Sequence, residues 1–223
     1  MSEQDLCVAP AGRHDLDAVA SLLARAFAED VPMRAFFRGE GPVAPERYVE
    51  VFRGMLLEGP LASGTVDVVR DSTGGIAAAA VWHARGASWH GVSGLRRLAD
   101  TLHALACYWR GMGAGGLGHA MMLQRAIDAY APSAPYWYLK VIGVDPDRRG
   151  QGLGGLLLSH RLRMADEDDL PAYLESSSRR TGALYSRHGF VPMRSITPWA
   201  NGQPWAMWRE RASLRGSGIV HPA

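Results

Sequence analysis

Lysine is almost missing from this chain: Lys140 stands alone, and the other 23 of its 24 basic residues are arginines. High-GC coding produces such a bias, so the count by itself says nothing about forked anion recognition. Cysteine is equally scarce. Cys7 and Cys107 lie a hundred residues apart, with no CxxC pair and no Cys/His cluster. That argues against a disulfide scaffold and a zinc site, and it suits an intracellular compartment. No window approaches the ~18 apolar residues of a membrane span. The longest run, GIAAAAVW at 75–82, fits a buried strand or a short helix. The opening MSEQDL is polar with no apolar stretch behind it, so no secretory signal is expected. Neither sign of charge prevails: 24 basic against 22 acidic residues leave a formal +2. A strongly basic nucleic-acid binder is thereby excluded, though a local basic groove is not. The expectation is a soluble cytoplasmic protein with no nucleic-acid or membrane partner.

Apolar material is ample. Of 223 residues 47% are hydrophobic and 21% charged, ordinary for a globular chain of one or two domains. Leu6 to Ala9, before Pro10, reads as a first strand. Leu16, Val19, Leu22, Leu23, Ala26 and Phe27 recur at steps of three and four, a helix for which Asp15 is the candidate N-cap. A second helical pattern covers about 45–58, with Tyr48, Val49, Phe52, Met55 and Leu56 on one face. Thr65 to Val69 and Ile76 to Trp82 flank the turn residues DSTGG, a hairpin. Leu95, Leu98, Leu102, Leu105 and Trp109 mark an amphipathic helix. After the glycine-rich segment 111–118, Leu123, Ile127 and Tyr130 mark another.

The last third alternates strand and helix. YWYLKVIGV (136–144) is a strand, DPDRRGQG a turn, and Leu153, Leu156 and Leu157 begin a helix. A short strand at 171–175, a short helix ended by Gly189, and strands at FVPMRSI and 205–208 follow. No repeat and no clean linker divides the chain. The order predicts one α/β (α+β) domain over 1–214, with a mixed, mostly antiparallel sheet flanked by helices. A helical insert is expected at about 84–135 and a loose tail at 215–223.

The string G-x-G-x-x-G occurs three times. Gly111-Gly113-Gly116 and Gly113-Gly115-Gly118 lie between helical patterns, which predicts a flexible helix–helix break. Gly150-Gly152-Gly155 instead follows a strand and opens a helix, with the acid Glu175 about 20 residues on, as in a dinucleotide fold. Two features oppose that fold: a long turn separates strand from glycine, and little chain remains to complete a doubly wound sheet. A nucleotide-dependent oxidoreductase therefore stays as an alternative only. No Gly-Lys-Ser/Thr follows, so this is no P-loop. Backbone N–H groups unshielded by Cβ atoms can close on phosphate oxygens at a helix N-terminus, and Arg149 adds a cation. A pyrophosphate is the natural guest.

At VIGVDPDRRGQGLG the chain resembles the GCN5-related N-acetyltransferase (GNAT) superfamily. The signature Q/R-x-x-G-x-G/A is met by Arg149-Gly150-Gln151-Gly152-Leu153-Gly154. The later block YLESSSRRTGALYSRHGFVP resembles that family's tyrosine-bearing helix ending at Gly-Phe. Together the blocks cover about 136–195, in wording most similar to the branch containing puromycin N-acetyltransferase. The resemblance implies a GNAT-like acyl-CoA N-acyltransferase fold, acetyl-CoA as co-substrate and no metal. It implies that the backbone of Ile142, Gly143 and Val144 pairs with the pantetheine arm. It implies too that amides of Arg149, Gly150, Gln151, Gly152, Leu153, Gly154 and Gly155 hold the pyrophosphate. Ser178 stands where many members carry an asparagine touching the cofactor arm, a departure that removes an amide.

Tyr185 matches the tyrosine that in many members protonates the departing thiolate. A phenol of pKa about 10 keeps its proton at neutral pH, and a packing role is the alternative. Glu175, ending PAYLE, would take the proton of the incoming ammonium; the alternative is a strand-end carboxylate paired with an arginine. His188 reads as a C-capping or solvated residue beside Gly189. His83, His90 and His119 flank or lie within the insert, in reach of an acceptor pocket. Asp128, Glu29 and Asp30 read as cap or surface acids, and Phe36, Phe37, Tyr48 and Phe52 as core. The expected function is acetyl transfer from acetyl-CoA to a primary amine of a small molecule or peptide, by direct attack in a ternary complex. A homodimer is compatible with it. The alternative from another class is a non-catalytic acyl-CoA sensor.

Overall fold

In the computed structural model, which describes residues 6–37, 42–86, 94–196 and 205–215, the β-branched and aromatic runs become strands. They are β1 (Cys7–Pro10), β2 (Val66–Arg70), β3 (Ile76–Arg85), β4 (Tyr136–Val144), β5 (Ala172–Ser176), β6 (Val191–Ser195) and β7 (Trp205–Arg209). These join in one sheet of order β1-β2-β3-β4-β5-β7-β6. Of its pairs, β4–β5 alone is parallel. The helices are α1 (Leu16–Phe27), α2 (Val31–Ala35), α3 (Pro45–Leu57), α4 (Gly94–Asp128), α5 (Leu153–Glu167) and α6 (Arg179–Arg187). A parallel pair needs a crossover, and α5 supplies it between β4 and β5. The mixed, mostly antiparallel sheet flanked by helices agrees with the sequence reading. The short α2 was not expected; Asp30 starts it, its Oδ1 accepting from the Met33 amide at 2.8 Å.

Each face of the sheet has its own core. On one, Val19, Leu23, Phe52 and Leu56 of α1 and α3 pack on Val66, Val68, Ala79 and Val81. On the other, Leu153, Leu157, Leu158 and Leu162 of α5 pack on Ala78, Trp82, Trp137 and Leu139. Alternation along β2 and β3 sends successive side chains to opposite faces. The alanines 77–80 keep those side chains small, so helices approach closely from both sides. Asp15 corrects an expectation. It is helical in backbone and does not cap α1; its Oδ2 accepts from the Gly12 amide at 2.8 Å and from Arg70 at 2.7 Å, closing the 3₁₀ turn before α1.

One ion pair lies wholly inside. Arg161 of α5 grips Asp67 of β2 with two hydrogen bonds, Nε to Oδ2 at 2.9 Å and Nη2 to Oδ1 at 2.6 Å, over the ring of Trp137. The side chains are 3% and 1% exposed, so removing one partner strands a buried charge. Asp67→Ala is expected to lower unfolding free energy by about 3–5 kcal/mol, measured by urea denaturation. A loss below about 1 kcal/mol would mean the arginine escapes to water at little cost.

The insert departs most from expectation. Its two helical patterns are two helices, as expected, that meet at Gly113, whose φ 68° and ψ 176° are not helical; α4 denotes both. The break is thus one residue, not a flexible segment over 111–118. Gly111 serves packing instead: a Cβ there would sit 2.9 Å from the Arg47 carbonyl and the Val51 side chain on α3. The stripe Leu95, Leu98, Leu102, Leu105 and Trp109 is not the buried face; it is 51–85% exposed. Ala104, Cys107 and Gly111 face inward. Small residues let the two helices approach, so periodicity marked an apolar face that is not the seated one. Among the described residues no helix is long and apolar enough to cross a membrane. His90 and the tail beyond Arg215 lie outside the described residues.

Candidate active site

The site begins where two strands part. β4 and β5 pair only as Trp137–Ala172, Tyr138–Tyr173 and Leu139–Leu174. From Lys140 to Val144 the edge of β4 has no β5 partner, leaving backbone N–H and C=O groups for an extended ligand. A bulge sits at the fork: Val81 of β3 faces Val141 while Trp82 faces Leu139, so Lys140 is the extra residue. The bulge shifts the alternation. Trp137 and Leu139 before it, and Ile142 and Val144 after it, all pack toward α5. Val141 and Gly143 face α1, and a Cβ on Gly143 would lie 2.9 Å from Leu23 and 3.0 Å from Ala26. Glycine there is what lets α1 lie against β4.

Beyond β4 the chain makes the glycine turn. Gly150 and Gly152 adopt φ of 83° and 76°, and a Cβ on either would project into open space. Gly152 opens α5, whose first amides, at Leu153, Gly154 and Gly155, have no acceptor within the helix. Salt bridges fix the turn from behind: Asp145 accepts from Arg25 at 2.6 Å, and Arg148 donates to Asp71 at 2.8 Å. Arg149 donates to the Ala26 carbonyl at 3.2 Å and lines the cavity described next. Backbone amides, a helix start and a cation therefore converge on open space, which fits a pyrophosphate.

A cavity of about 780 Å³ runs from this turn through the fork to the insert. Ile142, Gly143, Val144, Gly154, Thr181 and Tyr185 line it, and so do Glu58, His83, Tyr108, Gln124, Lys140 and Glu175. The Tyr185 ring packs edge-on against Phe190 at 6.1 Å, and burial holds its phenol well above the usual value. Among the described residues no arginine pairs with Glu175. Its Oε2 accepts from the Tyr138 hydroxyl at 2.7 Å, and burial raises its carboxyl although that bond and Lys140 act the other way.

Burial pushes His83 down to about 4, so its ring is neutral at pH 7. Its Nε2 has no hydrogen-bond partner among the described residues. His119 is elsewhere, its Nε2 bound to the Ala35 carbonyl at 3.0 Å. His188 is the C-cap residue of α6, its Nδ1 on the Leu184 carbonyl at 3.0 Å. Ser178 is the N-cap of α6: its Oγ accepts from the Thr181 amide at 3.2 Å, and Ser177, Arg180 and Thr181 are the neighbours that line the cavity. Phe37, Tyr48 and Phe52 are core, whereas Phe36 reaches the cavity wall. Asp128 pairs with Arg85 at 3.4 Å.

Sequence reasoning missed Lys140, Glu58, Tyr108, Tyr138 and Gln124. For Lys140 a signal existed, a charge inside a β-branched strand. Its Nζ donates to Gln124 Oε1 at 2.7 Å, and burial lowers its pKa while Glu58 and Glu175 act against that. Glu58 is raised by burial, with Tyr108 and Lys140 opposing. Among the described residues no group of three His, Cys, Asp or Glu side chains is placed to hold a metal ion.

The model of the acetyltransferase (GNAT) domain family matches residues 111–192. An uncharacterised N-acetyltransferase of Schizosaccharomyces pombe is 37% identical over 60 residues, 27% of this chain and 24% of that protein. The matched part thus spans about a quarter of that relative's length. Among solved structures, one described as histone acetyltransferase HPA2 and related acetyltransferase from Corynebacterium glutamicum has a TM-score of 0.68 at 26% identity, covering 94% of this chain and 98% of that one. An agmatine N-acetyltransferase has a TM-score of 0.64 at 17% identity, over 92% and 98% of the two chains, a likeness of fold alone. Residues 111–192 thus match the GNAT acetyltransferase domain, and the chain as a whole, with its forked strands and glycine turn, has the fold of the solved acetyltransferases it is similar to.

Proposed function

We propose that this chain is an acetyl-CoA-dependent N-acetyltransferase acting on a primary amine of a small molecule or peptide, by direct attack in a ternary complex. The observation that carries this is the meeting, in one cavity, of the free β4 edge, Arg149 and Gly154 of the glycine turn, Tyr185 and Glu175. Acetyl-CoA supplies a thioester-activated acetyl group. The backbone of Ile142, Gly143 and Val144 would pair with its pantetheine arm, and amides from Arg149 to Gly155 with its pyrophosphate. Ser178, by capping α6, keeps Tyr185 in place. Glu175 takes the ammonium proton, since an amine attacks only when neutral, and the Tyr185 hydroxyl gives a proton to the leaving sulfur. Residues 1–214 act as one unit in this reading, in the cytoplasm, with α4 walling the acceptor side.

Thiol release from acetyl-CoA, screened against an amine library, tests the reading. At least one amine should drive release. Glu175 works only when ionised, and burial raises its pKa. Activity should therefore fall as pH drops through a limb displaced above the ordinary glutamate value of about 4.3. Glu175→Gln should lower kcat/KM by about 10²-fold and remove that limb. Binding of acetyl-CoA with no amine ever driving release would mark the chain as a sensor instead.

A further inference from the structure

We propose that Lys140 is itself an acetyl acceptor: without an external amine, its side chain takes the acetyl group from bound acetyl-CoA. The proposal rests on the acetyl-CoA reading above. Lys140 is the bulged residue just past the last paired rung of β4 and β5, Leu139–Leu174, and two positions before Ile142, where the stretch assigned to the pantetheine arm begins. Its side chain lines the same cavity as Gly143 and Tyr185. Its hydrogen bond goes to a neutral amide oxygen, Gln124 Oε1 at 2.7 Å, which holds the amine in place without an anion on it. Lys140 is half-buried, and among the described residues no carboxylate pairs with it directly; an ammonium held so is costly, which favours the neutral, nucleophilic form. Burial accordingly lowers its pKa. No second lysine exists to compete.

In the step, the Nζ lone pair forms a C–N bond to the thioester carbonyl carbon and the C–S bond breaks. Sulfur leaves with the bonding electrons and takes one proton, and the nitrogen gives up one proton. The products are an N-acetyl-lysine and free CoA thiol. The amide carries no charge, so Glu58 and Glu175 lose a cation that now stabilises both carboxylates.

The full chain is incubated with acetyl-CoA and no amine, then read by intact mass and peptide mapping, with acetyl-CoA binding followed by calorimetry. The expected result is a gain of one acetyl group per chain, mapped to Lys140, slowed by excess CoA and absent from Lys140→Arg. Lys140→Gln, which also lacks the amine, replaces that variant if the arginine protein does not fold. Binding without mass gain overturns the proposal and leaves the acetyl-CoA reading standing. So does a gain that maps elsewhere, persists in the variant, or ignores CoA. Absence of acetyl-CoA binding overturns both.

Discussion

Tyr185→Phe is expected to lower kcat by at least about tenfold and to change the acetyl-CoA Kd by less than about threefold. The substitution keeps the ring and its edge-on contact with Phe190. It removes the hydroxyl alone. Burial holds the phenol well above its usual pKa, so it enters the reaction protonated across the whole working range of pH. Thiolate leaves poorly without a proton, and general acid catalysis contributes about 10²–10⁴-fold. An interaction made mainly in the transition state lowers kcat and leaves ground-state binding alone. The rate should be read in a single turnover, where slow product release does not mask the chemistry. A variant at full single-turnover rate would make Tyr185 a packing residue, with water or another group delivering the proton.

Gly152→Asp is expected to weaken acetyl-CoA binding by about tenfold to a thousandfold, or roughly 1.4–4 kcal/mol. The position has φ 76°, a conformation that aspartate tolerates better than most residues. Its Cβ would enter open space, so nothing in the protein itself resists the change. A carboxylate at the start of α5 also suits the helix dipole. The fold should therefore survive, which circular dichroism verifies. The binding loss then has two local causes: the new side chain fills the turn, and its negative charge repels a pyrophosphate. Calorimetry reads the affinity. An unchanged Kd in a folded variant would remove the phosphate from this turn.

Much of the fold was legible because it rests on short-range patterns. The 3–4 spacing in α1 and α3, the runs in β2 to β5 and the glycine punctuation at 150–155 are local, and each element forms where they indicate. Where a neighbour decides, local patterns failed. Asp15 turned from α1 to Gly12 and Arg70, an arginine 55 positions away. The leucine stripe of α4 lost the core to Ala104, Cys107 and Gly111, because α3 comes too close for large side chains.

The sequence by itself determined the strand-turn-helix at 136–167 and the short helix that carries Tyr185, since both are written in contiguous residues. Only the tertiary structure decided that β4 leaves β5 at Leu139 and that a bulge turns Lys140 into the cavity. It alone joined Glu58, Tyr108, Gln124, Lys140 and Glu175 in the lining of that cavity. Those five come from three elements, α4, β4 and β5, and from the residue after α3, and no local period relates them. The shifted protonation of Glu58, Lys140 and Glu175 depends on what the rest of the chain packs around them.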